Sequence, residues 1–392
     1  MKAAPAGAAN PFEIETTSAA VVEPDGALNS TAVAKRPMNK QVVSLVLALA
    51  GGLAAAECIA QTAPTALAGA GSSARAAVYE GWGLAYGSRY GMALEYAGVG
   101  SARGISQAAE RNVDFAASDL PLRGMELEKA GLAQFPTVVT AVVPVVNLQG
   151  VGPGALRLTG PLLAEILLGR IEKWNDAAIA GLNPNLALPD LDIQVVYRAD
   201  EAEQTQVLTR YLSKVSEAWA KQVGSGAAVQ WKVGTGAKGA AALVGEVKRL
   251  RGAIGYVELN QTQEARLAFP QLQNLFGRFV SPEPATLLAA ADAVDWARHY
   301  AGRSAFGVDL TDMPGLRAWP ITAASYVVLP RVQDRPERAR VTLAFLDWSL
   351  SGEGDQIAEK LGYVGLPAKG KQYVRASLRR SVTDARGDPL LR

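Results

Sequence analysis

Residues 68–91, AGAGSSARAAVYEGWGLAYGSRYG, run from a small-residue strand end through a glycine turn into a helix capped by Ser72 or Ser73 and reaching about Tyr86. The pattern repeats at once. A short strand, MALEYAGVG (92–100), is followed by the turn GVGSARG (98–104) and a second helix, ISQAAERN (105–112). The strand VDFAASD (113–119) then ends on Asp119, ahead of Leu120 and Pro121. Strands alternating with helices specify an α/β fold with a parallel sheet, and such sheets bind ligands beyond the carboxyl ends of their strands. The helix starts at Ser72/Ser73 and at Ser101 offer free amides and a partial positive charge, which favour an anion. Each turn taken singly reads as a cap; with a strand-end carboxylate within about fifty residues, they read as a site.

Working outward, FPTVVTAVVPVVN (135–147) is a continuous β-branched strand, long enough to cross from one domain to another. The stretch LTGPLLAEILLGRIEKWND (158–176) reads as a helix, with Ile166, Leu167, Ile171 and Trp174 at helical spacing and Trp174 as a core aromatic. The strand IQVVYR (193–198) delivers Arg198 into YRADEAEQTQVLTRYL (197–212). There Asp200 and Glu203 form the D-x-x-E pattern of a capping box, so a helix is expected from about Asp200. Beside this third helix start Arg198 would serve an oxyanion, whereas Glu201 and Glu203 oppose one. The glycine-rich turn of AAVQWKVGTGAKG (227–239) lacks the Ser/Thr that a nucleotide-binding loop needs after Lys238. Further α/β units follow at 241–250 and 252–259, and AWPITAASYVVLPR (318–331) is a second β-branched strand that returns to the first domain. Residues 341–362 read as one helix packing Phe345, Trp348 and Leu350.

Thirty-nine Lys and Arg against 37 Asp and Glu leave a net charge of +2 in 392 residues, too balanced for a nucleic-acid or polybasic membrane binder. The apolar run 42–56, VVSLVLALAGGLAAA, preceded by Lys35, Arg36 and Lys40, is short for a membrane span and has the form of a secretory signal cleaved after Ala56 or Ala60. Met38 is then the expected start, and residues 1–37 are a low-structure extension; an uncleaved anchor with a cytoplasmic tail is the other reading. The one cysteine, Cys58, lies in this segment after Glu57, outside a lipoprotein pattern, so a soluble exported protein without disulfides is expected. One His and one Cys cannot supply a conventional zinc site, and His299 in DWARHY has no nucleophile or carboxylate motif around it.

GAGSSARAAVYEGW, YAGVGSARGISQ, VDFAASDLPL, FPTVVTAVVPVVN, ILLGRIEKWND, GLNPNLALP, RAD, GAIGYVE, AWPIT and FLDW occur in this order, and the chain from Ala68 to Leu391 resembles the periplasmic phosphate-binding proteins of phosphate ABC transporters. The resemblance implies a two-lobed α/β periplasmic binding protein of type II with two hinge crossover strands. The expected boundaries are lobe I at 61–138 and 318–392, lobe II at 139–317, and the signal at 38–60. It implies a monomer without cofactor or catalysis, closing over one inorganic phosphate and delivering it to an ABC permease and ATPase. Carried over by position, the phosphate ligands are Ser73, Ala74, Ser101, Asp119, Arg198 and Gln204, with Asp200 orienting Arg198. In that setting a carboxylate such as Asp119 accepts the proton of hydrogen phosphate and disfavours sulfate. The departure is local: the family's Gly-Ser-Gly-Thr is here Glu201-Ala202-Glu203-Gln204, which removes two hydroxyl donors and adds two acids. The alternative is therefore a diverged paralogue that binds phosphate weakly or not at all and serves another anion or a protein-interaction role. Arg75 and Arg103 are new beside the lobe I turns. They are either surface charges or partners of Glu201 and Glu203 across the cleft.

Overall fold

The structure, a computed structural model, describes residues 66–301 and 307–391. The N-terminal extension, the signal segment and Cys58 lie outside the described residues.

Four strands open the fold: β1 (Ala66–Gly71), β2 (Ala93–Ala97), β3 (Phe115–Ser118) and the fifteen-residue β4 (Leu132–Val146). They are followed by β5 (Arg157–Leu158), β6 (Gln194–Arg198), β7 (Thr235–Ala237) and β8 (Ala253–Glu258). The later ones are β9 (Gln271–Gln273), β10 (Phe279–Val280), β11 (Thr322–Pro330), β12 (Val332–Gln333), β13 (Val364–Gly365) and β14 (Thr383–Asp384). One sheet runs in the order β2-β1-β3-β11-β4-β8-β6-β7, with β13 added on β4. Its two ends are parallel, β1 with β2 and β3, β6 with β7 and β8. The middle is antiparallel: β11 pairs β3 and β4, and β4 pairs β8.

The long strand joins the halves as its sequence suggests. Leu132 to Ala141 of β4 lie against β11, and Val142 to Val146 lie against β8, so a single strand belongs to both lobes. All fifteen of its residues are buried, which is why the text reads as an unbroken β-branched run instead of an alternation. Four tryptophans are fully buried, and each ring N–H finds a carbonyl: Trp82 on Gly354, Trp174 on Gly252, Trp219 on Gly224 and Trp319 on Val142, at 2.9–3.1 Å.

Neither Ser72 nor Ser73 caps the first helix through its side chain: a 3-10 turn, Ser73–Arg75, leads into a helix that runs Ala76–Tyr90. Three further helices differ from expectation. The one read at 158–176 covers only Gly160–Leu167, capped by the Thr159 hydroxyl and closed at Gly169, which takes a left-handed φ of 74°. Ile171 and Trp174 follow in irregular chain, though Trp174 is still core. The helix read at 341–362 is two, Pro336–Ser349 and Gly352–Lys360, because Ser351 breaks the first and caps the second through Gly354 N. The third, at the Arg198 loop, starts at Glu203 with Ala202 as N-cap and no side-chain cap, three residues later than the capping-box pattern predicts. Asp200 is committed elsewhere.

Candidate functional site

The polar groups of the interlobe region come from the carboxyl ends of the parallel strands. Ser72 follows β1, Asp119 follows β3, Arg198 is the last residue of β6 and Glu258 the last of β8. A strand end is where the backbone leaves the ladder, so its next side chains are free to turn toward a common point.

Arg198 is held in a two-point fork, Nε to Asp200 Oδ1 at 2.8 Å and Nη2 to Asp200 Oδ2 at 2.6 Å. Gly239 N also donates to Asp200 Oδ1 at 2.9 Å, and with the Arg198 fork this engages the carboxylate away from the helix it precedes, which has no side-chain cap. The Arg198 side-chain hydrogen bond, with the Gly239 amide, holds the Asp200 carboxyl well below its ordinary range. A depressed folded-state pKa means stability that is present above the ordinary value of about 3.9 and is lost as pH falls through the folded one. In thermal unfolding, Asp200→Asn is therefore expected to lower the midpoint at pH 7, and the gap to the wild type is expected to narrow below about pH 4. A gap that is constant from pH 7 to pH 3 would remove this role.

The Arg198 fork extends into a chain of bonds. Nη1 reaches Gln204 Oε1 at 3.3 Å, and Gln204 Nε2 donates to Glu258 Oε1 at 2.9 Å. The same Glu258 oxygen accepts from Nη2 of Arg75, whose Nε donates to Asp119 Oδ1 at 2.6 Å. Asp119 Oδ1 also accepts from Ser325 Oγ at 3.1 Å, and Ser72 Oγ donates to Oδ2. A second contact joins the helix starts: Ser101 Oγ donates to Glu203 Oε1 at 3.0 Å.

Arg75 is wholly buried. Burial works against its charge, yet Asp119 and Glu258 outweigh that and hold its pKa above the ordinary value. Tyr363 covers it, with the guanidinium carbon 4.8 Å from the ring centroid, while the Tyr363 hydroxyl donates to Ala74 O at 2.6 Å. Burial likewise pushes the Glu258 carboxyl up, against the pull of Arg75.

Of the residues expected to hold an anion, the structure brings Ser101, Asp119, Arg198 and Gln204 into this one network, Ser101 directly at Glu203 and Asp119 N at 3.4 Å from its hydroxyl. Ser73 is exposed, and its hydroxyl donates to Gly98 O at 2.8 Å; Ala74 enters through its carbonyl on Tyr363. The proposed pairing of Arg75 with Glu201 or Glu203 is not what forms, since Arg75 turns inward to Asp119 and Glu258. Arg103 and Glu201 are exposed and form no ion pair with each other. Glu258 and Ser325 were missed, and Ser72, read as a helix start, is instead a donor to Asp119. Glu258 ends GAIGYVE as Asp119 follows VDFAAS, so the rule that found one acid would have found the other. Ser325 lies inside β11 and carries no such signal.

The cavity beside Asp119 has a volume of about 10 Å³, at most one water. A cavity of about 450 Å³ lies elsewhere, against Leu132 to Phe135, His299, Tyr300 and Arg380, and contains none of these groups.

Sheet, crossover strand and polar strand ends together are those of a two-lobed α/β solute-binding protein. Residues 59–353 match the family model described as a PBP superfamily domain. The chain is 41% identical over 307 residues to the phosphate-binding protein PstS of Xylella fastidiosa (strain Temecula1), covering 78% of this chain and 83% of that protein. With PstS of Haemophilus influenzae it is 41% identical over 302 residues, 77% and 89% of the two chains. The chain belongs to the family of the phosphate-binding protein PstS. Solved structures share the fold: a phosphate-binding protein from Stenotrophomonas maltophilia at TM-score 0.56 and 21% identity, covering 81% of this chain and 94% of that one. A high affinity periplasmic phosphate-binding protein bound with phosphate at pH 8.5 reaches TM-score 0.60 at 22% identity, covering 79% and 93%.

Proposed function

We propose that the chain is a periplasmic solute-binding protein that takes inorganic phosphate between its lobes and hands it to an ABC permease and ATPase. The observation that carries this reading is the convergence of Arg198, Asp119 and Ser101 at the strand ends between the lobes of a PstS family member. Arg198 supplies charge-assisted donors, Ser101 a hydroxyl at a helix start, and Asp119 an acceptor for the proton of hydrogen phosphate. The family is one of solute binding, so the assignment is transport. Export through the segment 38–60 and a monomeric state belong to the same proposal. Calorimetric titration of the purified protein with phosphate tests it: saturable binding at micromolar or lower phosphate supports the receptor role, and no heat with millimolar phosphate removes it.

The acids of the Arg198 loop set how strong that binding is. Glu203 accepts the Ser101 hydroxyl, so its carboxylate competes with the ligand for one donor and repels it besides. Glu203→Gln keeps the shape and removes the charge. It is expected to tighten phosphate on the order of tenfold, the size of a unit charge a few ångströms away at intermediate dielectric. An unchanged titration would show that Glu203 is already displaced when phosphate enters.

A further inference from the structure

Arg75 is the group in this cleft that the PstS resemblance does not account for. Its Nε and Nη2 edge is spent on Asp119 and Glu258, residues 44 and 183 positions away, while Nη1 is buried without a hydrogen-bond partner among the described residues. Glu258 Oε2 is in the same state. A buried guanidinium with one nitrogen unpaired is a donor waiting for an acceptor, because such groups are nearly always satisfied in folded proteins. An oxyanion offers the missing acceptor, and charge-assisted bonds to it are strong. The ion pair also acts on Asp119. That carboxylate already receives Arg75, Ser325 and Ser72, so its negative charge is offset by a cation in contact.

We propose that Arg75 is a second anion-binding guanidinium of this site, working with Arg198, and that by neutralising Asp119 it widens the site from hydrogen phosphate to fully ionised tetrahedral oxyanions such as sulfate. The inference rests on the phosphate-receptor reading. Nη1 donates to the bound oxyanion, replacing donors that the Glu201 to Gln204 loop does not supply. Asp119 keeps one lone-pair position for a ligand hydroxyl but repels an unprotonated ligand less than an unpaired carboxylate does.

Removing Arg75 alone leaves Asp119 and Glu258 buried without their cation, which endangers folding, so the test pairs the changes. Wild type, Arg75→Gln/Glu258→Gln, Glu258→Gln and Arg75→Lys are titrated calorimetrically with sodium phosphate and sodium sulfate at pH 7.5, with thermal transitions recorded alongside. The double variant is expected to lose about tenfold to hundredfold in phosphate affinity and still more for sulfate, so that its preference for phosphate over sulfate rises. Glu258→Gln, which frees Nη2 as well, is expected to bind both anions more tightly. A double variant with a near-native transition that binds phosphate as well as or better than wild type would make Arg75 a strut or a plug, and the proposal falls. Should the double variant not fold, Arg75→Lys decides: the charge stays and the second donor edge goes, so equal phosphate and sulfate affinities overturn the proposal and a loss of about tenfold supports it. Wild type that binds neither anion overturns the receptor reading and this inference together. Wild type that binds phosphate, with a phosphate-to-sulfate ratio unmoved in the double variant, overturns this inference alone.

Discussion

Arg198→Ala is expected to weaken phosphate binding by a hundredfold to ten-thousandfold and to lower the thermal midpoint at pH 7, as Asp200→Asn does, because both remove the same fork. Arg198 ends β6 with one edge of its fork pinned to Asp200 and the other reaching only Gln204, at the long distance of 3.3 Å. The pinned edge fixes the direction of the free one, so a ligand gains the donors without ordering a long side chain. Loss of two hydrogen bonds to a charged ligand costs about 3 to 6 kcal/mol, which sets the range of the effect. The side chain is only 11% exposed and its fork to Asp200 contributes to stability, so affinities are compared at a temperature well below both transitions. Arg198→Lys should fall between, since an ammonium keeps the charge but cannot form the fork. Titration calorimetry on the three proteins checks this, and affinity within threefold of wild type in Arg198→Ala would place phosphate elsewhere.

Gly71→Ala is expected to cost about 2 to 4 kcal/mol of stability, and to reduce anion binding with it. Gly71 ends β1 at a φ of 135°, a conformation side chains rarely adopt. A Cβ there would sit 2.1 Å from the carbonyl oxygen and 2.7 Å from the nitrogen of Ala117, backbone atoms of the central strand β3 that cannot swing aside. The helix Ser101–Ala109 approaches from the other side, where a Cβ on Gly104 would lie 2.4 Å from Gly71 Cα. This close approach carries Ser101 up to Asp119, so parting the helix from the strand moves a ligand group as well as opening the core. Chemical denaturation should show a lower midpoint at unchanged slope, and Gly104→Val should behave alike. A Gly71→Ala protein as stable as wild type would mean the strand end can relax.

Much of the fold is visible in the sequence because its signals are local. The β-branched run at 135–147 is unbroken since β4 is buried on both faces, and small residues at 68–72 mark a strand end that must meet a helix closely. Asp119 and Arg198 are found by their place at strand ends. The helix start at the Arg198 loop differs for a tertiary reason. Asp200 followed by Glu203 has the grammar of a cap, but a guanidinium two residues away and the Gly239 amide compete for the same carboxylate and win, through charge-assisted bonds that a local pattern does not weigh. Likewise, Ser72 and Ser73 are equal candidates in the text; only the turn geometry sends one hydroxyl to Asp119 and the other to Gly98 O.

The sequence by itself determined the order of strands and helices, the crossover through β4, the family, and the strand ends at which ligand chemistry gathers, because these follow from periodicity, turn residues and ordered motifs. Only the tertiary structure decided what Arg75 does. Opposite charges near the cleft in the text, Glu201 and Glu203, stayed with solvent and Ser101, whereas Asp119 and Glu258, remote in sequence, took the guanidinium. A buried cation must be compensated within contact distance, and which carboxylates stand there is fixed by how β3 and β8 are packed across the sheet, not by their spacing along the chain.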